Sequence, residues 1–411
     1  MIPTLRTAIA VLIASTSAQA QSGTVKVFTG FTLIDGTERP AIPNATLLVR
    51  DGRILRAGPA NSVAVPPGAE RIALDGKFVI PGLINAHGHV NDVTRDLRTY
   101  AAYGVTTVFS LGGEQAPVFA ARASQSTAAL DRTRVFVSGP VLTPETPNEA
   151  RTQVRNVAAQ KVDIVKIRVD DNLGTVPKMP PEVYRAVIDE AHAQGLRVAS
   201  HLFYLADAKG LLDAKVDFIA HSVRDTDVDA ALINALKSSG VCYCPTLMRE
   251  VSTFIYESTP DFFADPLFLK HANQDWVTSL KDSARQASFR NSASAQRYKT
   301  ALQVASRNLK RLSDAGIPIA MGTDTGPTGR FQGYFELMEL ELMVKAGLTP
   351  RQALNAATVA AARCMRVERD LGTLEIGKWA DFVVLDADPL EDISHVRQIS
   401  SVWIAGNRVA R

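Results

Sequence analysis

Cysteine is scarce in this 411-residue chain, with only three, and neither a block of like charge nor a long apolar run stands out. Each absence narrows the function. A bilayer span needs roughly 18 consecutive apolar residues, so no membrane role is expected. With 45 basic against 42 acidic residues and no basic cluster, the chain lacks the footprint of nucleic-acid binding. The expected partner is a small molecule, and self-association stays open. Cys242 and Cys244 stand at i and i+2 of an apparent strand, a poor geometry for a mutual disulfide. All three cysteines, Cys364 included, are therefore read as buried small hydrophobes. The remaining composition, 46% hydrophobic and 21% charged, is that of a globular protein too long for one small core. One large domain with a smaller one is expected.

Residues 1–20 differ from the rest. Arg6 supplies a positive start, AIAVLIA from Ala8 to Ala14 is a short apolar core, and Ala18-Gln19-Ala20 is a small-residue cleavage site. The segment reads as a secretory signal cut after Ala20, which places the mature chain in the periplasm or outside the cell.

From Val25 to Gly82 short alternating strands are separated by Asp51-Gly52 and Asp75-Gly76, each read as a hairpin turn. Similar alternation returns at Asp381 to Asp386 and Ser401 to Val409. Both ends together are expected to form one composite β-sandwich, residues 21–80 and 370–411, with residues 81–369 inserted. In that middle, apolar runs at 82–86, 105–111, 135–138, 164–167, 197–200, 218–220, 241–247 and 317–322 alternate with helical segments such as 181–194 and 229–239. This is the pattern of an α/β protein, specifically a (β/α)8 TIM barrel. Residues 248–315 exceed an ordinary connection and read either as a lid over the barrel mouth or as an outer helical layer. An amphipathic helix is expected over Phe335 to Ala346.

In such a barrel, chemistry sits at the carboxyl ends of strands. His87 and His89 end the first run, Lys166 lies inside the fourth, His201 ends the fifth, His221 the sixth and Asp324 the eighth. Nitrogen and oxygen donors without a thiolate favour a borderline divalent ion, zinc first. Lys166 lies in an apolar strand, where its charge loses stabilisation and the neutral amine becomes nucleophilic. Such an amine can capture carbon dioxide as a carbamate whose oxygens bridge two cations.

Taken with PGLINAHGH, VKI at Lys166, VASH at His201, IAHS at His221, MGTDTG at Asp324 and the terminal LGTLEIGKWADFVVLD, the chain resembles the amidohydrolase superfamily. The resemblance lies near its imidazolonepropionase-like and metal-dependent dipeptidase (prolidase-like) branch and runs from about Val25 to Arg411. It implies that His87, His89 and Asp324 hold one metal, His201 and His221 a second, and carbamylated Lys166 bridges them. It further implies that a metal-bridging hydroxide attacks an amide carbonyl, with Asp324 as general base and then acid and Tyr243 contacting the carbonyl oxygen. Relatives that deaminate or open cyclic amides with one metal lack the lysine and carry a glutamate three residues after the fifth-strand histidine. Here that position is Tyr204. The expectation is an exported binuclear hydrolase of a dipeptide or N-acyl amino acid. The alternatives are a lactonase or organophosphate-ester hydrolase on the same site, a mononuclear deaminase or cyclic-amide hydrolase, and a non-catalytic metal-binding barrel. Glu114 and Arg330 read as solvated loop charges in preference to contacts with the substrate's ends. His192, His271 and His395 read as surface or cap residues.

Overall fold

Buried apolar residues on both faces, Val27 on one and Phe28, Phe31 and Leu33 on the other, anchor the first strand, β1 (Lys26–Leu33), in a computed structural model that describes residues 23–410. The expected export signal lies outside the described residues. Strands β2 (Ile42–Arg50) and β3 (Arg53–Pro59) form the hairpin expected at Asp51-Gly52. Strands β4 (Glu70–Ala73) and β5 (Phe78–Pro81) correct the second hairpin: both run parallel to β1, one beyond the other along the same edge. The edge of β1 is long enough for both, so the Asp75-Gly76 turn only steps along it, with the Gly76 amide bonded to Gly30.

The middle of the chain gives β6 (Leu83–Gly88), β7 (Val105–Ser110), β8 (Arg134–Val137), β9 (Val141–Leu142), β10 (Val165–Arg168), β11 (Val198–His201), β12 (Phe218–Ile219) and β13 (Cys242–Tyr243). They form two parallel sheets, β6-β7-β8 and β9-β10-β11-β12-β13. Last come β14 (Phe382–Leu385), β15 (Ile399–Ile404) and β16 (Asn407–Arg408), which join β5 through β14 in one eight-stranded sheet with β1–β5. The eighth expected run, 317–322, is not a strand of either parallel sheet. It is an irregular extended segment bonded to both: the Tyr243 amide reaches Pro318 O at 2.9 Å, and the Ala86 amide reaches Met321 O at 2.8 Å. Its ladder breaks because the Thr323 and Asp324 amides both converge on His87 O.

Side-chain parity sorts the parallel strands into two faces. Ile84, Phe109, Ile164, Ala199, Phe218 and Ala320 share one hydrophobic cluster. Val105, Val135, Val165, Ile167, Val198 and Ile219 belong to the larger cluster on the other face. The first face turns polar toward the carboxyl ends, as Ile164, Lys166, Arg168 and Asp170 show on β10 and its extension.

The cysteine reading needs correction. Cys242 on β13 is bonded to Cys364, on the helix Val359–Met365, with a Cα–Cα distance of 5.8 Å. Only Cys244 remains a buried free thiol. The pairing was hidden because that helix packs Ala361 and Ala362 into the same cluster as Cys242, a contact 122 residues distant in sequence.

The expected helices appear as Pro181–Ala193 and Ala230–Ser239, the latter capped by the Asp229 carboxylate and closed by Gly240. The helix Tyr334–Lys345 is not amphipathic as expected: Glu336 and Glu339 are fully buried among its apolar residues. Parts of residues 248–315 pack against the rest of the fold, while 281–294 hold no buried residue. Phe268 is fully buried, and Asn308, on the helix Ala293–Asp314, holds the carbonyls of Val223 and Thr226.

Candidate metal centre

The strand-end donors chosen from the sequence converge. His87, His89, Lys166, His201, His221 and Asp324 all line one cavity of about 310 Å³. Asp324 Oδ1 lies 2.8 Å from His89 Nε2 and 3.5 Å from His87 Nε2. Lys166 Nζ stands 3.4 Å from His87 Nε2. The His221 ring is 4.6 Å from that of His87 and 4.0 Å from that of His201, centroid to centroid. His87, His89 and Asp324 offer ligand atoms within 4.8 Å of one another, a group able to hold a cation.

Electrostatics prepare these donors. Burial, with the Lys166 charge behind it, holds His87 well below the ordinary imidazole range. Burial and neighbouring His201 do the same to His221, and burial takes His201 down to about 4. All three are neutral at neutral pH, the form that ligates metal. Burial likewise lowers Lys166 to about 8. Burial opposes ionisation of Asp324, yet the Arg330 charge and the His89 hydrogen bond outweigh it and keep the carboxylate ionised. Second partners fix the rings: His89 Nδ1 meets Gly112 O at 3.1 Å, and His221 Nδ1 meets Thr246 Oγ1 at 2.7 Å.

The MGTDTG segment has reasons of its own. A side chain at Gly322 would strike Cys244 Sγ and His87 Cβ, and one at Gly326 would strike the His89 backbone. Asp324 itself takes a left-handed backbone, φ +58°, which aspartate tolerates better than most residues. That turn is held by Glu336, whose Oε1 accepts from Thr323 Oγ1 at 2.7 Å, Thr325 Oγ1 at 2.6 Å and Asn85 Nδ2 at 2.5 Å. Asn85 Oδ1 in turn accepts the His87 amide at 2.9 Å, so one buried carboxyl positions both ligand-bearing segments.

Tyr243 is buried on β13, and its hydroxyl accepts the Val223 amide at 2.7 Å. Glu114 and Arg330 are engaged and are not free loop charges. Glu114 is 7% exposed and accepts the amide of Gly112, the same residue whose carbonyl meets His89; Arg330 is bound to Asp324 and to Ser252 Oγ. No local spacing points to their targets, since both contacts form only when loops meet. His192 pairs with Asp217 at the surface, and His395 Nδ1 meets Asp388 O. His271 lies away from the donors, against Tyr103.

Two residues escaped the sequence reading. Asp170 places Oδ2 3.0 Å from His201 Nε2, and its carboxyl stays well below the ordinary range: burial opposes ionisation, but the hydrogen bond from His201 prevails. Arg168 lines the donor cavity beside Lys166. The period-2 series Lys166, Arg168, Asp170 was a usable signal, because a strand that presents Lys166 inward presents the other two likewise.

A profile described as the Amidohydrolase family matches residues 78–409. The chain belongs to this family. It is a family of metal-dependent hydrolases. An imidazolonepropionase of Cereibacter sphaeroides is 27% identical over 372 residues, 86% of this chain and 91% of that protein. The ochratoxinase of Aspergillus niger is 25% identical over 281 residues; the match takes in 66% of this chain and only 51% of the ochratoxinase. Among solved structures, a putative prolidase from Bifidobacterium longum superposes with a TM-score of 0.78 at 28% identity, covering 95% of both chains. A Xaa-Pro dipeptidase with bound methionine gives 0.76 at 20% identity over 94% of this chain and 100% of the other, a likeness of fold.

Proposed function

We propose that the amidohydrolase is an exported binuclear enzyme that cleaves the amide bond of a dipeptide or N-acyl amino acid. The observation that carries this reading is the gathering of six nitrogen and oxygen donors, with no thiolate, around one cavity. Their chemistry suits a borderline divalent cation, with zinc favoured. His87, His89 and Asp324 would hold one ion and His201 and His221 another, with carbamylated Lys166 between them. Bound divalent cations supply hydroxide at neutral pH and polarise the scissile carbonyl.

The chain's own groups do the rest. Asp324, ionised and fixed by Arg330, takes the proton released as the carbonyl is attacked and returns it to the departing amine. Tyr243 holds the Val223 amide on the face of β13 shared with Ile219 and does not line the donor cavity, so no contact with the carbonyl oxygen is assigned to it. Lys166, lowered by burial to about 8, releases its proton far more readily than an ordinary lysine and so supplies the neutral amine that carbamate formation needs.

The same reading takes the two parallel sheets and segment 317–325 as one closed (β/α)8 barrel. The backbone bonds at Pro318 and Met321 support closure on one side, and that from the Asp163 amide to Val137 O, 2.8 Å, supports it on the other. The eight-stranded sheet, drawn from both ends of the chain, supports a composite β domain.

Elemental analysis is expected to find about two divalent ions per chain, as a two-metal site requires. A screen against dipeptides, N-acyl amino acids, lactones and phosphotriesters is expected to find amide turnover; ester turnover alone would defeat the assignment. Export predicts a mature chain starting at Gln21, read by amino-terminal sequencing.

A further inference from the structure

Next to the donor cavity lies a larger one, about 550 Å³, lined by Thr143, Pro144, Arg168, Asp170, Val176, Met179 and others. The two cavities share Thr143 and Arg168 as walls, so Arg168 stands where they meet. Its position follows from strand parity: it is two residues after Lys166 on β10, roughly 6.6 Å further along. The residue is half-buried and, among the described residues, its guanidinium makes no ion pair or hydrogen bond. The other charges of these walls are engaged. Asp170 holds His201 at 3.0 Å, and Lys178 is ion-paired with Asp207 at 3.0 Å. Glu145 stands exposed at the rim.

A half-buried cation without a counter-ion is costly unless a ligand supplies the charge. Arginine keeps its proton at any working pH, and its planar fork matches a carboxylate with two parallel hydrogen bonds. Beyond it, Pro144, Val176, Pro177 and Met179 make an apolar wall. We propose that Arg168 anchors a carboxylate close to the scissile bond and that this wall receives an apolar group, so that the substrate is an N-acylated or peptidyl amino acid with a bulky apolar substituent. The assignment deepens the amide-hydrolase reading and rests on it for the reaction. The recognition can be measured without turnover.

Two pairs of probes test it in the metal-loaded full-length protein. N-acetylphenylalanine and N-acetylphenethylamine share the amide and the ring, but only the first bears a carboxylate. The wild type is expected to favour the acid in kcat/KM by about 100-fold, the scale of one charge-assisted bidentate contact. In Arg168→Gln that ratio collapses toward one, and Arg168→Lys retains part of it. In calorimetry, 4-phenylbutyrate, which cannot be hydrolysed, is expected to bind wild type at least about 30-fold tighter than 4-phenylbutanol, with the preference lost in Arg168→Gln at unchanged metal content. Carboxylate preference untouched by Arg168→Gln overturns the proposal. Arg168-dependent binding without amide turnover upholds the anchor and defeats the reaction class. Amide turnover indifferent to the carboxylate does the reverse.

Discussion

Breaking the Cys242–Cys364 bond is expected to cost the protein several degrees of melting temperature. The crosslink closes a loop of 122 residues, and the chain-entropy relation for a loop of that size gives roughly 5 kcal/mol at 25 °C. Unfolding entropy of about 2.1 cal/mol/K per residue, over 411 residues, amounts to about 0.9 kcal/mol/K, so the loss corresponds to about 6 °C if melting is cooperative. The perturbation is Cys242→Ala with Cys364→Ala, and Cys244→Ala is the control because that thiol is unpaired. Either single substitution breaks the bond, so each should lose about as much as the pair. Calorimetry in non-reducing buffer measures the shift, and thiol titration of the denatured wild type should find one thiol before reduction and three after. A double variant melting within about 1 °C of wild type, or three titratable thiols at the outset, would refute the reasoning.

Other expectations follow from the site and its supports. Lys166→Ala should lower kcat/KM by at least about 100-fold together with metal content, and added short-chain carboxylate should restore part of both. Full activity in that variant would remove the bridging role. Asp324→Asn should reduce kcat by about 10²- to 10⁴-fold, the range of a lost general base, in single-turnover assays. Glu336→Ala strands three buried donors and should cost about 3 kcal/mol in denaturant unfolding. An unchanged midpoint would show that the network holds nothing. Burial raises Glu339 from 4.5 to about 8, so the folded chain keeps a proton that the unfolded chain has released. Its contribution is therefore full below about pH 4.5 and is lost as pH rises to about 8, at up to about 1.4 kcal/mol per unit. Glu339→Gln should flatten that part of the stability profile, and an unaltered slope would contradict it.

The strands and the donors were legible because their signals are local. Hydrophobic runs mark every parallel strand except the two-residue β9, Asp51-Gly52 marks a turn, Asp229 marks a helix start, and His87, His89, Lys166, His201, His221 and Asp324 fall at or near strand ends. The series Lys166, Arg168, Asp170 was equally local and was passed over after its first member. Glu336 and Glu339 misled, because acidic residues four or fewer apart on a helix look like a solvated face until a second layer covers them.

What the chain's order determined by itself is the succession of strands and the chemistry carried at their ends, since adjacent residues set both backbone periodicity and side-chain parity. Tertiary structure alone decided which distant partners meet: Cys242 with Cys364, Arg330 with Asp324, Glu336 with Asn85, and β4 with β5 along one edge of β1. Those choices depend on how packed layers bring loops and helices into register across hundreds of residues, and no spacing along the chain encodes that distance.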